Sequence, residues 1–193
     1  CSSDLPSYVK VSVHVTLVLQ PDADAVKVLP AARTALQQFF HPLTGGLDFD
    51  GMIADLKAAP EESVVLFHGC AHNPTGADPS EAQWESIRDV CIARRHLPFF
   101  DTAYQGFATG DLDQDARSVR IFVDAGMDVL VAQSYAKNMG LYGQRVGALN
   151  IVCSDRNVVP ALLSQLRLVI RPMYSSPPAH GAKIAARSEE RRV

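Results

Sequence analysis

The sequence predicts an α/β domain, a mainly parallel sheet flanked by helices. Three observations carry this reading. Short apolar runs occur at Ser63–Phe67, Pro98–Asp101, Asp128–Ala132 and Arg145–Val152, rich in β-branched or aromatic residues and bounded by polar or turn residues. Segments of helical periodicity lie between them, clearest over 78–97 and 113–125. Strands and helices that alternate at this spacing build parallel sheets, because each parallel connection needs a crossover of helix length.

Each element has its own signal. Val9, Val11, Val13, Val15, Leu17 and Leu19 repeat with period two, the pattern of a half-buried strand. Pro21–Asp24 breaks it, and the stretch to Phe40 is ambiguous. Pro42-Leu43-Thr44-Gly45-Gly46 is a turn. Asp50 is placed to cap a short helix whose Met52, Ile53 and Leu56 face inward. Ser63–Phe67 reads as a fully buried strand. Asp78 is then the expected N-cap of a helix, with Pro79 at its first position and Glu81 three residues after the cap. Trp84, Ile87 and Cys91 form the apolar stripe of that helix, which Leu97-Pro98 ends. Residues Asp113–Ala125, closed by Gly126, form the next helix with Ala116, Val119 and Val123 inward. A last helix starts near Val158 with Leu162, Leu163, Leu166 and Val169 apolar; Pro160 fits its first turn.

Composition excludes several function classes. The 193 residues carry 18 Lys and Arg against 21 Asp and Glu, a net charge of −3, with 47% hydrophobic residues. Such a chain is too apolar for disorder and has no basic run for nucleic acid or an anionic membrane. Val9–Leu19, the longest apolar stretch, is too short to cross a bilayer and contains Lys10 and His14. Four scattered cysteines form no C-x-x-C pair, which suits reduced thiols in an intracellular protein. A start at Cys1 without a leader and a charged stretch over 187–193 point to a fragment.

Ligands of open α/β sheets bind in the crevice beyond the carboxyl ends of the strands. Three polar, Gly-rich segments leave those ends: His68–Gly76, Asp101–Gly106 and Gln133–Gly147. In the first, His68, Cys70 and His72 would share a face if extended and could bind a metal, or the histidines could serve only as hydrogen-bonded structure. Asp101 follows two aromatics, so its carboxylate is either desolvated and paired with a cation or strong donor, or caps the next turn. Lys137 is a surface lysine or a Schiff-base nucleophile, and Arg145 could bind a phosphate through its planar fork. Gly140, Gly143 and Gly147 make no dinucleotide or P-loop fingerprint.

Together these segments are specific. HNPTG at 72–76, FDTAYQG at 100–106, SYAKNMGLYGQRVG at 134–147 and RPMYSSPP at 171–178 occur in order at fitting intervals. From Leu47 to Ile184 the chain resembles the class I aspartate aminotransferases, pyridoxal phosphate enzymes of fold type I. The resemblance implies that residues 47–184 are part of the cofactor-binding large domain, preceded by a poorly matched segment 1–46 and followed by a divergent charged tail 185–193. It makes Lys137 the lysine that forms the Schiff base with pyridoxal 5'-phosphate, and Asp101 the partner of the pyridine nitrogen. Asn73 and Tyr104 match the residues that bond the ring's phenolic oxygen, and Ser134 and Arg145 match phosphate ligands. Arg171 matches an arginine that reaches the neighbouring subunit's site and binds the substrate's side-chain carboxylate, with Ser175 in the same loop.

The implied reaction moves an amino group between aspartate or glutamate and a 2-oxo acid, in a homodimer. The implied compartment is the cytoplasm, or the mitochondrion if a transit peptide precedes Cys1. Members of the family are about twice as long, and carry elsewhere a small-residue phosphate loop, a Trp stacked on the cofactor ring and an arginine for the α-carboxylate. Trp84, the one Trp here, belongs to a helix stripe. Two further readings stand beside this one: an inert truncated protein, and an aromatic amino acid aminotransferase of the same class.

Overall fold

The computed structural model describes residues 46–190, which lie in the compact unit Pro42–Val193. The strand expected over Val9–Leu19 and most of the turn over 42–46 fall outside the described residues.

Four strands form one sheet in the order β1 (Val64–His68), β2 (Leu97–Thr102), β3 (Val129–Ser134), β4 (Gly147–Val152). β1, β2 and β3 run parallel, as expected, and β4 pairs antiparallel with β3. The antiparallel strand follows from its connection: a turn and a 3₁₀ segment at Tyr142–Gln144 reverse the chain with no crossover helix between.

Helix α1 (Phe49–Ala58) precedes β1, α2 (Glu81–Ala93) joins β1 to β2, and the pair α3 (Leu112–Asp115) and α4 (Arg117–Asp124) joins β2 to β3. The core forms where α1, α2 and α4 cover one face of the sheet. Leu56 from α1, Trp84, Ile87, Val90 and Cys91 from α2, and Ile121 and Phe122 from α4 meet Phe67, Phe100, Val129 and Val131 of the strands. Phe100 is fully buried, with ring centres 5.5 Å from Phe67, 5.8 Å from Trp84 and 5.2 Å from Phe122. His96, buried in the turn before β2, lies with Nε2 2.9 Å from the Leu56 carbonyl and so ties α1 to the sheet.

Several local expectations change. Asp48, not Asp50, caps α1, accepting a bond from the Gly51 amide. Ser80, not Asp78, caps α2 in a reciprocal box with Gln83, so Pro79 precedes the cap. The carboxylate of Asp78 is instead taken by the amides of Ala71 and His72. The helix expected over Asp113–Ala125 divides at Ala116, and its buried stripe is Ser118, Ile121 and Phe122, with Val119 and Val123 packed at the edge. β1 is not fully buried: Val64 is 60% and Leu66 62% exposed, because nothing among the described residues covers the second face of the sheet there.

Beyond β4, α5 (Val159–Met173) carries Pro160 in its first turn, as expected. Leu163, Leu168 and Val169 remain in solvent, while Leu162, Leu166 and Ile170 are half-buried. Helix α6 (Ala179–Glu190) follows and buries Ala185.

Candidate active site

The carboxyl ends of the three parallel strands lie side by side, with His68 opposite Asp101 and Asp101 opposite Ala132. At the end of β1, Gly69 donates its amide to the Asp101 carbonyl at 2.9 Å, and the buried Ser118 hydroxyl donates to the Gly69 carbonyl at 2.6 Å. Ala71 then takes a left-handed φ of 48°, so His68, Cys70 and His72 do not share an extended face. Burial, aided by the charges of Asp115 and Asp78, pushes the Cys70 thiol up to about 12 and keeps it neutral. Among the described residues no three His, Cys, Asp or Glu side chains converge as a metal-ligand set, so the metal alternative loses its geometry. The histidines act as structure: His68 Nδ1 accepts from the Asn73 amide at 3.1 Å, and His72 Nδ1 lies 2.7 Å from the Thr75 hydroxyl. Desolvation, then the neighbouring His68, lowers the His72 pKa. The cis Asn73–Pro74 bond follows, with the Asn73 side chain exposed.

At the end of β2, Asp101 departs from both expectations. Its residue is exposed, and its carboxylate neither pairs with a cation nor caps a turn among the described residues. It lies at the end of the sheet face that the helices leave open. Thr102 turns the other way, buried, and donates to the Ala132 carbonyl at 3.2 Å. Tyr104 is half-buried at the head of a turn closed by the Phe107 amide on the Tyr104 carbonyl.

At the end of β3, the Ser134 hydroxyl accepts from the Ala136 amide at 3.2 Å. Lys137 follows in a turn, its Nζ 4.6 Å from the centre of the Tyr142 ring. Arg145, expected to open the fourth strand, instead has a left-handed φ of 48° just before it and donates to the Tyr142 carbonyl at 3.3 Å. Tyr142 thus touches both cationic residues, a contact that pattern reading missed because it depends on the fold of the 137–145 turn.

Asn73, Asp101, Tyr104, Ser134, Lys137 and Arg145 all follow or end strands on one edge of the sheet, as the sequence predicts. Arg171 stands apart. It lies in the last turn of α5 rather than in a loop, exposed, donating to the Ser175 hydroxyl at 2.6 Å. The helix runs past it through Pro172, which has no N–H to donate to the Leu168 carbonyl.

A second group escaped the sequence reading. Asp115 is 4% exposed and accepts bonds from the Gly106, Ala108 and Thr109 amides and from the Thr109 hydroxyl. The available signal was its place on the buried stripe with Ser118 and Phe122, where a carboxylate must be bonded.

Comparison with known proteins agrees with this architecture. A family model described as aminotransferase class I and II matches residues 27–191. The cytoplasmic aspartate aminotransferase of Oryza sativa subsp. japonica is 61% identical over 149 residues, 77% of this chain and 37% of that protein. The solved aspartate aminotransferase of Trypanosoma cruzi superposes with a TM-score of 0.71 at 55% identity, covering 73% of this chain and 36% of that one. An aromatic-amino-acid aminotransferase from Burkholderia pseudomallei, covalently bound to pyridoxal phosphate, gives 0.71 at 46% identity over 74% of this chain and 36% of its own. The matched region thus spans little more than a third of each relative's length. The mixed sheet and its helices are part of the large domain of fold type I pyridoxal phosphate enzymes, and the chain belongs to the class I and II aminotransferase family.

Proposed function

We propose that the protein is an aspartate aminotransferase that transfers an amino group between aspartate or glutamate and a 2-oxo acid, with pyridoxal 5'-phosphate in the crevice above β1–β3. One observation carries this reading: three adjacent strand ends present a carboxylate, a phenol, an amide, a hydroxyl and an amine on one edge. Among the described residues, the side chains of Asp101, Lys137 and Arg145 enter no ion pair. A carboxylate, an amine and a guanidinium outside any such ion pair suit a group that has a basic ring nitrogen, an aldehyde and a phosphate.

Bound there, the cofactor supplies an electron sink that weakens the bonds at the substrate Cα. The Asp101 carboxylate holds a proton on the ring nitrogen. Tyr104 and Asn73 donate to the phenolic oxygen, and Ser134 Oγ and the Arg145 guanidinium bind the phosphate. Lys137 Nζ would hold the cofactor's aldehyde carbon and would serve as the general base for the substrate's Cα proton. Arg171 binds the substrate's side-chain carboxylate across a homodimer, through the bidentate geometry that a guanidinium offers. The rice relative's name supports a cytoplasmic site. No helix among the described residues is long and apolar enough to cross a membrane.

Borohydride reduction of the chain with added pyridoxal phosphate should fix the label on Lys137, seen by peptide mapping, and Lys137→Ala should abolish it. Equal labelling of Lys137→Ala refutes the assignment.

A further inference from the structure

We propose that Asp115 is a positioning residue for Tyr104, the clamp that fixes the segment after β2; this rests on the role proposed for Tyr104 above. The carboxylate is spent entirely on that segment. Oδ2 takes the Gly106 amide at 2.7 Å and the Ala108 amide at 3.0 Å, and Oδ1 takes the Thr109 amide at 3.1 Å and the Thr109 hydroxyl at 2.7 Å. It is not needed as a helix cap, because Asp111 already caps α3 through the Asp113 and Gln114 amides.

The chain between Asp115 and Tyr104 has little freedom left. Phe107 returns its amide to the Tyr104 carbonyl at 2.9 Å, and Gly106 makes the turn with a φ of 92°. Gln105 bridges sideways: its Nε2 donates to the Leu112 carbonyl at 3.0 Å, and its Oε1 accepts from Gln133 Nε2 at 2.9 Å. Gln133 directly precedes Ser134 at the end of β3. The Asp115 clamp and the Gln105 bridge therefore place Tyr104 relative to both α3 and the segment that carries Lys137. Four donors converge on two anionic oxygens, and bonds to a charged acceptor are stronger than neutral ones. An amide at this position keeps one oxygen and turns an N–H₂ towards two donors, whichever way it flips.

The test compares the 193-residue chain with Asp115→Asn, Tyr104→Phe and the double variant. Hydrogen exchange at 104–109 should speed up by about tenfold or more in Asp115→Asn, while exchange within β1–β3 holds its wild-type rate. With added pyridoxal phosphate, the pH midpoint of the Schiff-base absorbance should rise by about one unit in Asp115→Asn, since a displaced phenol no longer favours the deprotonated form. In the Tyr104→Phe background, Asp115→Asn should add no further shift. An equal shift in both backgrounds, or unchanged exchange at 104–109, overturns the proposal. A wild-type chain without the absorbance defeats the cofactor assignment instead, and the exchange rates alone then decide whether Asp115 holds the segment. If Asp115→Asn does not fold, Thr109→Ala removes one of the four donors to the carboxylate, together with the hydroxyl's contacts to the Asp111 amide and carbonyl. Faster exchange of the Gly106 and Ala108 amides, which those contacts do not involve, supports the clamp, and no change at these two amides overturns it.

Discussion

Replacing Gly147 by alanine tests how tightly the site-bearing turn is held. Gly147 faces Ser134 in the antiparallel pair of β3 and β4, two residues after Arg145. A Cβ there would stand 2.6 Å from the Gln133 carbonyl oxygen. Carbon and carbonyl oxygen rarely approach within about 3.3 Å, so one strand must retreat by roughly 0.7 Å. The obstacle is backbone in a ladder and cannot rotate away. Overpacking of this kind costs about 1–3 kcal/mol, and the stiffer unfolded chain returns about 0.4–1 kcal/mol. A net loss of about 1–2 kcal/mol follows. Gly143→Ala is the matched control: its Cβ would meet nothing within 4 Å, so only the unfolded-state gain remains. Urea unfolding read by the fluorescence of Trp84, the one Trp and a buried one, suits both variants. With a slope of about 2 kcal/mol per molar urea, the two midpoints should separate by roughly 1 M. Coincident midpoints would show that β4 yields freely and that the close approach does not constrain the turn.

Ser80→Ala should cost about 1 kcal/mol of stability, whereas Asp78→Ala should leave α2 capped and loosen the 71–72 amides, as seen in local hydrogen exchange. Among the described cysteines, Cys70 and Cys91 should resist alkylation at pH 8 while the half-buried Cys153 reacts, because burial raises the two thiols to about 12 and about 11. Their folded pKa values lie above the ordinary 9.0. The folded state therefore keeps protons that the unfolded state releases, and this stability is full below pH 9 and falls as pH rises towards 11. Urea midpoints that do not fall over this range would contradict that sign.

How much was legible depended on the range of the interaction that decides each feature. The parallel strands and the α2 stripe of Trp84, Ile87 and Cys91 rest on local periodicity, and they stand where the sequence puts them. The cap of α2 failed by two residues because Asp-x-x-Glu and Ser-x-x-Gln overlap at 78–83, and only the tertiary demand of the Ala71 and His72 amides assigns the aspartate elsewhere. The stripe of α4 failed by about one residue for a similar reason. Asp115 and Ser118 are polar, so pattern reading puts them outward, yet each is buried against a backbone partner far from it in sequence or in the adjoining loop. The strand-end placement of Asp101 and Lys137 was visible, but the exposure of Asp101 was not: burial of the sheet's second face depends on chain that periodicity within 64–102 cannot supply.

That open face bears on the last prediction: the 193-residue chain by itself should show negligible transamination. Catalysis by pre-set charges needs a site from which water is excluded, where a carboxylate and an amine act at full strength. Here Asp101, Asn73 and Arg145 are exposed, and Lys137 is only half-buried. Arg171 sits exposed on α5, a helix with no buried residue, and its side-chain bond goes to Ser175 in the same segment rather than to the strand ends. Misplacement of a substrate-binding group by about an ångström already costs on the order of a hundredfold. Val64, Leu66 and Leu149 on the strands and Leu163, Leu168, Val169 and Met173 on α5 expose apolar surface that favours self-association over an ordered site. The assay is aspartate with 2-oxoglutarate in excess pyridoxal phosphate, run alongside light scattering. Turnover comparable to an intact family member would mean that the strand-end residues suffice for the chemistry, and that enclosure by further chain contributes little to it.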